Sequence, residues 1–257
     1  MVLRIIKGIM GSGVSVDTVL SEQPLAPGGT LRGEVTFNGG DVDQKVESIT
    51  LEFTALVEED AKGAEHAATY HFFRAQVSGP FQLTAGTTHS VPFEVQTPWE
   101  TPINTYNGRP LVGMKLGVST ELALDMAIDK GDLDPLTVEP LAAQTKALEA
   151  LEALGFVLQE ADLEAGTVSG SHMPFYQELE YWTGGEFSDK LPNLEMTFLT
   201  NASTTDVLLQ TGNTGSLTAP GNDVYQRFTV PNDTTDDLTD QIRTQLEQLS
   251  QRRGVAG

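Results

Sequence analysis

The chain has 257 residues, with 15 Lys and Arg against 36 Asp and Glu, so its formal net charge is −21 at neutral pH. A surface this acidic repels phosphate backbones and anionic lipids, which argues against nucleic acid and membrane partners. Cys is absent, which excludes disulfides, thiolate metal sites and a Cys nucleophile.

The N-terminal residues MVLRIIKGIMGSG form an apolar stretch that Arg4 and Lys7 interrupt. The stretch is too short and too broken for a membrane-spanning helix, and it lacks the core of a signal peptide, so we expect a cytoplasmic protein. It could lie on a membrane surface, but two cations attract lipid only weakly. A short apolar helix covering one end of the fold is the favoured interpretation.

Alternating strands dominate the first half. In PLAPGGTLRGEVTFNGGDVDQKVESITLEF, residues 24–53, apolar side chains fall on one face of each of two strands, and Gly-rich turns separate them. Further alternating runs cover residues 14–20, 68–76, 89–96 and 112–124. Pro92 lies inside the third of these runs, which predicts an edge strand or a bulge. Short strands at this spacing indicate a β-sandwich.

An acidic segment, residues 129–135, is predicted to be a turn that leads into the second half. A helix over residues 141–154 follows, with Gly155 as its C-terminal cap. More strands are then predicted at residues 156–163, 175–182, 194–201, 206–210 and 224–230. The chain ends in a helix with an apolar stripe of Leu238, Ile242, Leu246 and Leu249. A helix docked on the second half is favoured, and a partner-binding helix is the alternative.

The pattern therefore predicts an all-β protein with two β-sandwich domains, residues 1–130 and 131–257. Short helices are expected at the N-terminus, at the domain linker and at the C-terminus.

Candidate reactive side chains are sparse. His66 and His71 are five residues apart on a predicted strand, which places them on opposite faces, and His89 and His172 stand alone. Ser12, Ser169 and Ser171 lie near glycines but outside any nucleophile-elbow motif. No catalytic, cofactor or metal residue is therefore assigned, and we predict that the protein is not an enzyme.

Three other features suggest binding rather than chemistry. Four acidic residues near the domain boundary, Asp125, Asp129, Asp132 and Asp134, could bind Ca²⁺, but their order does not match an EF-hand, so a solvated turn is favoured. Pro24-Leu25-Ala26-Pro27 is a P-x-x-P sequence that could offer a polyproline ligand, although a rigid loop is simpler. Tyr176, Tyr181 and Trp182 could line a small-molecule site, although core packing explains them better.

Several phrases carry a resemblance to a known family. They are VDT at residues 16–18, PGGTLRGEVTFNGGDVDQKVESITL, WETPI at 99–103, LGVSTELALDMAIDKGDLDPLTVEP, LEALGF, HMPFYQELEYW and RFTVPND at 227–233. Their content and order resemble the bacterial sporulation-control family of the SpoOM type, whose members are similar to arrestins in having two linked β-sandwiches.

This resemblance implies an arrestin-like fold and a non-catalytic cytoplasmic regulator or scaffold that works through protein–protein interaction. The family supplies no catalytic residues and no cofactor. Partners are expected to be proteins, including a homodimer formed through strand edges or the terminal helices. The alternative is a small-molecule or Ca²⁺-binding β-sandwich module.

Overall fold

The computed structural model describes residues 8–9, 13–21, 24–61, 64–124, 127–211, 217 and 225–253. The strands are β1 (Gly8–Ile9), β2 (Ser15–Ser21), β3 (Thr30–Asn38), β4 (Gln44–Ala61), β5 (Ala64–Ser78), β6 (Phe81–Leu83), β7 (Thr88–Gln96), β8 (Thr105–Tyr106), β9 (Arg109–Pro110), β10 (Leu116–Leu124), β11 (Ala127–Pro135), β12 (Val157–Ala165), β13 (Phe175–Trp182), β14 (Asn193–Thr200), β15 (Thr204–Gln210) and β16 (Tyr225–Pro231). The helices are α1 (Ala142–Ala153) and α2 (Thr239–Arg253), and Gly185–Phe187 forms a 3₁₀ turn.

Two sheets carry most of these strands. The smaller has the order β1-β2-β3-β7, and the larger has the order β11-β10-β4-β12-β13-β14-β15-β16, with β5 and β6 also paired to β4. Strands β8 and β9 form a separate hairpin. The all-β prediction is confirmed. Pro92 lies in β7, the last strand of the smaller sheet, as predicted.

Alternation along the first predicted strands is also confirmed. Leu31, Val35 and Phe37 on β3 are fully buried, while the residues between them are more exposed. On β4, Leu51 and Phe53 are fully buried as well. All five belong to one continuous core. Burial of one face explains the period of two on β3, whereas β4 is buried on both faces, with Glu52 and Thr54 on the side away from Leu51 and Phe53.

One buried polar contact joins the two sheets. The side-chain hydroxyls of Thr18 on β2 and Thr120 on β10 lie 2.6 Å apart. Both residues are more than nine-tenths buried. A hydroxyl that keeps its partner costs little to bury, whereas one that loses it carries its full desolvation cost.

We predict that Thr120→Val lowers the free energy of unfolding by about 1–3 kcal/mol, because it leaves the Thr18 hydroxyl buried without this partner. The double variant Thr18→Val, Thr120→Val should recover most of that loss, since both hydroxyls are then gone. Urea denaturation of the four proteins measures the effect. A double variant whose loss equals or exceeds the sum of the two single losses would contradict the interpretation.

The acidic segment 129–135 is a strand, not the turn that the sequence predicted. It lies within β11, which pairs antiparallel with β10 and places Asp134 opposite Val118. Strand pairing overrode the turn-like composition of the segment, because β10 supplies hydrogen-bonding partners that local sequence does not reveal. The proposed domain boundary after residue 130 falls inside this strand and stays a prediction.

Strand β4 connects elements from both halves of the chain. Its first part pairs with β6 and β10, and β5 pairs along most of its length. Near its end, Glu58 lies opposite Glu164 of β12 in a parallel arrangement. Strands from the second half therefore extend the same sheet, which brings the acidic ends of β4 and β12 together.

The helices match the predictions in the described ranges. Gly155 has a φ of +89° after α1, and the amides of Gly155 and Phe156 donate to the carbonyls of Glu152 and Leu151, closing the helix end. The predicted stripe is buried: Leu238 directly before α2, and Ile242, Leu246 and Leu249 on the helix. The docked interpretation of this helix is therefore confirmed.

The predicted N-terminal helix lies largely outside the described residues, and its described part, Gly8–Ile9, forms β1. Within the described ranges, neither helix combines the length and the apolar character that a membrane crossing requires.

Candidate functional site

The two histidines of β5 bind different carboxylates. His66 Nε2 lies 3.2 Å from Glu59 Oε2, and His71 Nδ1 lies 3.3 Å from Glu52 Oε2. Glu52 and Glu59 are seven residues apart on β4, so they lie on opposite faces of the strand. Both histidines are exposed, as expected. The structure therefore does not bring them together.

The serine candidates are occupied by structural contacts. Ser171 Oγ donates to Glu100 Oε2 at 2.5 Å, and the Ser169 carbonyl accepts from Arg227 Nη1 at 2.9 Å. Ser12 lies outside the described residues, as do Arg4 and Lys7. Ser171 is thus paired with a carboxylate that also accepts from the His172 amide, and Ser169 contacts Arg227 through its backbone.

Backbone hydrogen bonds attach the P-x-x-P segment to residues 137–139. The Leu25 amide donates to the Thr137 carbonyl at 2.9 Å, and the Leu25 carbonyl accepts from the Glu139 amide at 2.7 Å. Leu25 is 6% exposed. These bonds make the segment a rigid loop, which was the simpler prediction.

The three aromatic residues considered as a small-molecule site, Tyr176, Tyr181 and Trp182, do not converge on one pocket. Tyr181 is buried in the main core, and Tyr176 is buried in a smaller cluster on the opposite face of the sheet. Trp182 is 69% exposed, so the expectation that it packs in the core was wrong. Strand alternation places Trp182 on the outer face, beyond the part of that face that the small cluster covers.

Carboxylates crowd the same outer face of the larger sheet. Asp162 on β12 lies opposite Glu178 on β13, and Glu160 lies opposite Glu180. On the next strand, Glu195 of β14 also lies opposite Glu180. Opposite residues of an antiparallel pair share a face, so the pairing gathers these side chains into one group. We call this group, together with Glu164, the acidic face.

Glu178 is the buried member at the center of the acidic face, where Asp162 and Glu164 are half-buried. One oxygen from each of Asp162, Glu164 and Glu178 lies within 4.8 Å of the others. Glu178 is 8% exposed, and Gln210 on β15 is 2% exposed. The Gln210 Nε2 donates to Glu178 Oε1 at 3.0 Å and also to Glu195. Gln210 therefore ties two carboxyl groups of adjacent strands together.

Burial and like charge together raise the pKa values of these groups. Burial, then repulsion from Glu180 and other neighbouring carboxylates, raises the pKa of Asp162 to about 8. Burial, followed by repulsion from Glu195 and Asp162, raises the pKa of Glu178 to about 9. Burial also raises the pKa of Glu195, although the bond from Gln210 opposes that rise. Asp162 and Glu178 thus retain protons at neutral pH.

This chemistry limits what the acidic face can do. Its oxygen-only donor set is of the kind that hard cations such as Ca²⁺ bind, and the residues that could hold one are Asp162, Glu164 and Glu178. Protonation of Asp162 and Glu178 relieves the same repulsion, which is the direction of their pKa shifts. Of the four acidic residues considered as a Ca²⁺ site in the sequence, Asp125 and the side chains of Asp129 and Asp132 lie outside the described part of the structure.

Comparison with known proteins assigns the chain to a family. The model of the family described as SpoOM protein matches residues 4–214. The chain belongs to the SpoOM family. The sporulation-control protein spo0M of Bacillus subtilis (strain 168) is 33% identical to it over 199 residues, which are 76% of this chain and 74% of that protein. The predicted family is confirmed.

The fold agrees with that of the same family. The crystal structure of Spo0M, sporulation control protein, from Bacillus subtilis matches with a TM-score of 0.78 and 24% identity, over 93% of this chain and all of that chain.

A groove borders the acidic face of this SpoOM family member. It has a volume of about 760 Å³ and lies between residues 106–112, which include the β8–β9 hairpin, and the start of β12. Val157 and Glu160 line its β12 side, and Val112 lines the other. Since Glu160 belongs to the acidic face and Val157 lies opposite Trp182, the groove, the exposed tryptophan and the carboxylates form one surface.

Proposed function

We propose that this SpoOM family member is a non-catalytic cytoplasmic regulatory or scaffold protein of the sporulation-control type, which acts through protein–protein interaction. The observation that carries the proposal is the 33% sequence identity, over 76% of this chain, to a protein named for sporulation control. The regulatory assignment rests on that relationship.

Site geometry supports the non-catalytic part of the proposal. The carboxyl groups with the largest pKa shifts, Asp162 and Glu178, face other carboxylates and the Gln210 amide. Ser171 donates to Glu100, and each described histidine of β5 contacts its own glutamate. In these contacts the serine is paired with a carboxylate and each histidine with a glutamate, so none of them combines a serine nucleophile with a histidine base.

Strand edges support the proposal of protein partners. Strands β7 and β16 each end a sheet, so each offers the backbone groups of one edge to an added strand. A homodimer would use such edges rather than α2, because the apolar stripe of α2 is already buried against the fold.

Complementation tests the function. We expect that producing this chain in a Bacillus subtilis strain that lacks its own sporulation-control protein moves the yield of heat-resistant spores from the deletion value toward the wild-type value. The controls are an empty plasmid and the same plasmid carrying the native gene. If the chain accumulates as a folded protein and the yield stays at the deletion value, the proposed function is wrong.

A further inference from the structure

Two exposed valines, Val112 and Val157, line the groove, and the exposed Trp182 lies opposite Val157 at its border. Val112, Val157 and Trp182 are 65%, 57% and 69% exposed. Val157 and Trp182 are opposite each other on β12 and β13, and the Val112 carbonyl accepts from the Ala161 amide of β12 at 2.9 Å. We call these three residues the apolar patch. Exposed Trp is costly to solvate and is enriched at the centers of protein interfaces.

Carboxylates flank the apolar patch on its sheet side. The Glu160–Glu180 pair follows directly after the Val157–Trp182 pair along β12 and β13, with a bulge at Gln159 that keeps both pairs on the outer face. Glu195 continues the row of acidic side chains onto β14. A partner side chain that contacts Trp182 therefore lies near the carboxylates of Glu160 and Glu180, the next pair on the same face.

The first part of β12 has an open edge. Residues 157–160 pair with β13 on one side, and within the described chain their other side faces the groove rather than a strand. The Gln159 side chain donates to the Val157 carbonyl at 3.2 Å, which satisfies that carbonyl locally. Beyond this point, the contact between Val112 and Ala161 closes the edge. The open length suits a short extended segment.

We propose that the groove beside β12 binds an extended segment of a partner protein in which Arg residues alternate with apolar residues. The segment adds to the open edge of β12. Its Arg side chains lie on the outer face, where they stack on Trp182 and pair with Glu160 and Glu180. Its apolar side chains enter the groove. This assignment rests on the proposed function, and it names the class of partner that the function requires.

The charge of the chain favours a basic peptide segment over a second copy of the chain, nucleic acid or an anionic membrane. The chain carries a net charge of −21, so a second copy brings more negative charge to a surface that is already acidic. Nucleic acid and anionic membranes are repelled for the same reason. A basic segment is attracted, and the exposed tryptophan gives it an anchor beyond simple charge.

The test uses defined peptides and the full chain. The probe is Ac-(Arg-Val)₄-NH₂, with Ac-(Arg-Ser)₄-NH₂ as the charge control and Ac-(Glu-Val)₄-NH₂ as the apolar control. We expect saturable binding of the Arg-Val peptide, at least about tenfold tighter than either control. Binding should shift Trp fluorescence to shorter wavelength, since Trp182 is one of two tryptophans and becomes covered.

Variants locate the site. Trp182→Ala and Val157→Ser should each weaken binding of the Arg-Val peptide about tenfold or more, whereas Val42→Ser, at an equally exposed valine of the first half, should not. Glu160→Gln should weaken binding and flatten its salt dependence, and Glu34→Gln should do neither. N-methylation of alternate peptide amides should abolish binding if the peptide adds as a strand.

Three outcomes would overturn the proposal. One is equal binding of the Arg-Val and Arg-Ser peptides that survives Trp182→Ala, which means attraction by net charge alone. Another is undiminished binding of the N-methylated peptide. The third is self-association of the chain, seen by sedimentation velocity, that Trp182→Ala abolishes, which assigns the surface to a second copy. If peptide binding fails while spore complementation succeeds, the surface assignment is wrong and the proposed function stands.

Discussion

Glu178→Gln is expected to raise the free energy of unfolding by about 2–4 kcal/mol at pH 7–8, because each pKa unit is worth about 1.4 kcal/mol. The folded protein must keep this buried carboxyl protonated, since burial and the neighbouring carboxylates raise its pKa to about 9. Gln is neutral at every pH and has nearly the same shape. Its carbonyl can still accept the bond from Gln210.

The pH dependence follows from the direction of the shift. In the unfolded chain, Glu178 loses its proton near its ordinary pKa of 4.5, whereas in the folded state it holds the proton until about pH 9. Between these values the folded state binds more protons, so stability falls as pH rises. Asp162 adds to the same trend between its ordinary pKa of 3.8 and about 8. Below pH 4 the penalty is absent, and above pH 9 it is constant.

Urea denaturation between pH 5 and pH 9 measures this slope. Wild-type stability should fall more steeply with pH than that of Glu178→Gln, and the two curves should converge toward pH 5. Glu34→Gln, at an exposed position of β3, is the matched control and should follow the wild type. Parallel curves for the wild type and Glu178→Gln would show that Glu178 is not a protonated buried acid.

Strands that have one buried face and one solvent-exposed face could be predicted from the sequence. On β3, Leu31, Val35 and Phe37 alternate with polar residues and are fully buried, because the period of two matches a sheet with one face on the core. The helix stripe on α2 was readable for the corresponding reason. Such patterns are local, and they decide which face of an element is buried.

Features that depend on pairing with another strand could not be predicted from such local patterns. The residues of β11 resemble a turn, with Gly131, Asp132 and Pro135 among them, and only pairing with β10 makes them a strand. The acidic face is similar. Each acid of β12 and β13 is visible in the sequence, but the register that places Asp162 opposite Glu178 crosses a long loop.

Trp182 shows how the alternation of side chains along a strand decides which residue is exposed. Tyr181 and Trp182 are adjacent on β13, so only one of them can face the core. Tyr181 does, and Trp182 therefore lies outside. The core-packing prediction therefore holds for Tyr181 and is wrong for Trp182. Alternation along β13 could therefore have predicted from the sequence that Trp182 is exposed on the same face as Glu178 and Glu180.

Gln177→Leu is expected to lower the free energy of unfolding by about 1–3 kcal/mol for each of two backbone groups that it leaves unpaired. The Gln177 Oε1 accepts from the Ile103 amide at 3.1 Å, and its Nε2 donates to the Ile103 carbonyl at 2.7 Å. Ile103 is fully buried and lies in the segment between β7 and β8, whereas Gln177 lies on β13. The amide thus replaces a strand partner for Ile103.

Leu has a similar volume but can neither donate nor accept, so both backbone groups of Ile103 lose this partner inside the core. Gln82→Leu, which makes the same change at an exposed position of β6, should alter stability by less than about 0.5 kcal/mol. Thermal and urea denaturation measure both variants. Equal effects would mean that loss of the Gln side chain, rather than loss of its two bonds to Ile103, sets the cost. A large loss confined to Gln177→Leu ties the segment before β8, and with it one wall of the groove, to the position of β13.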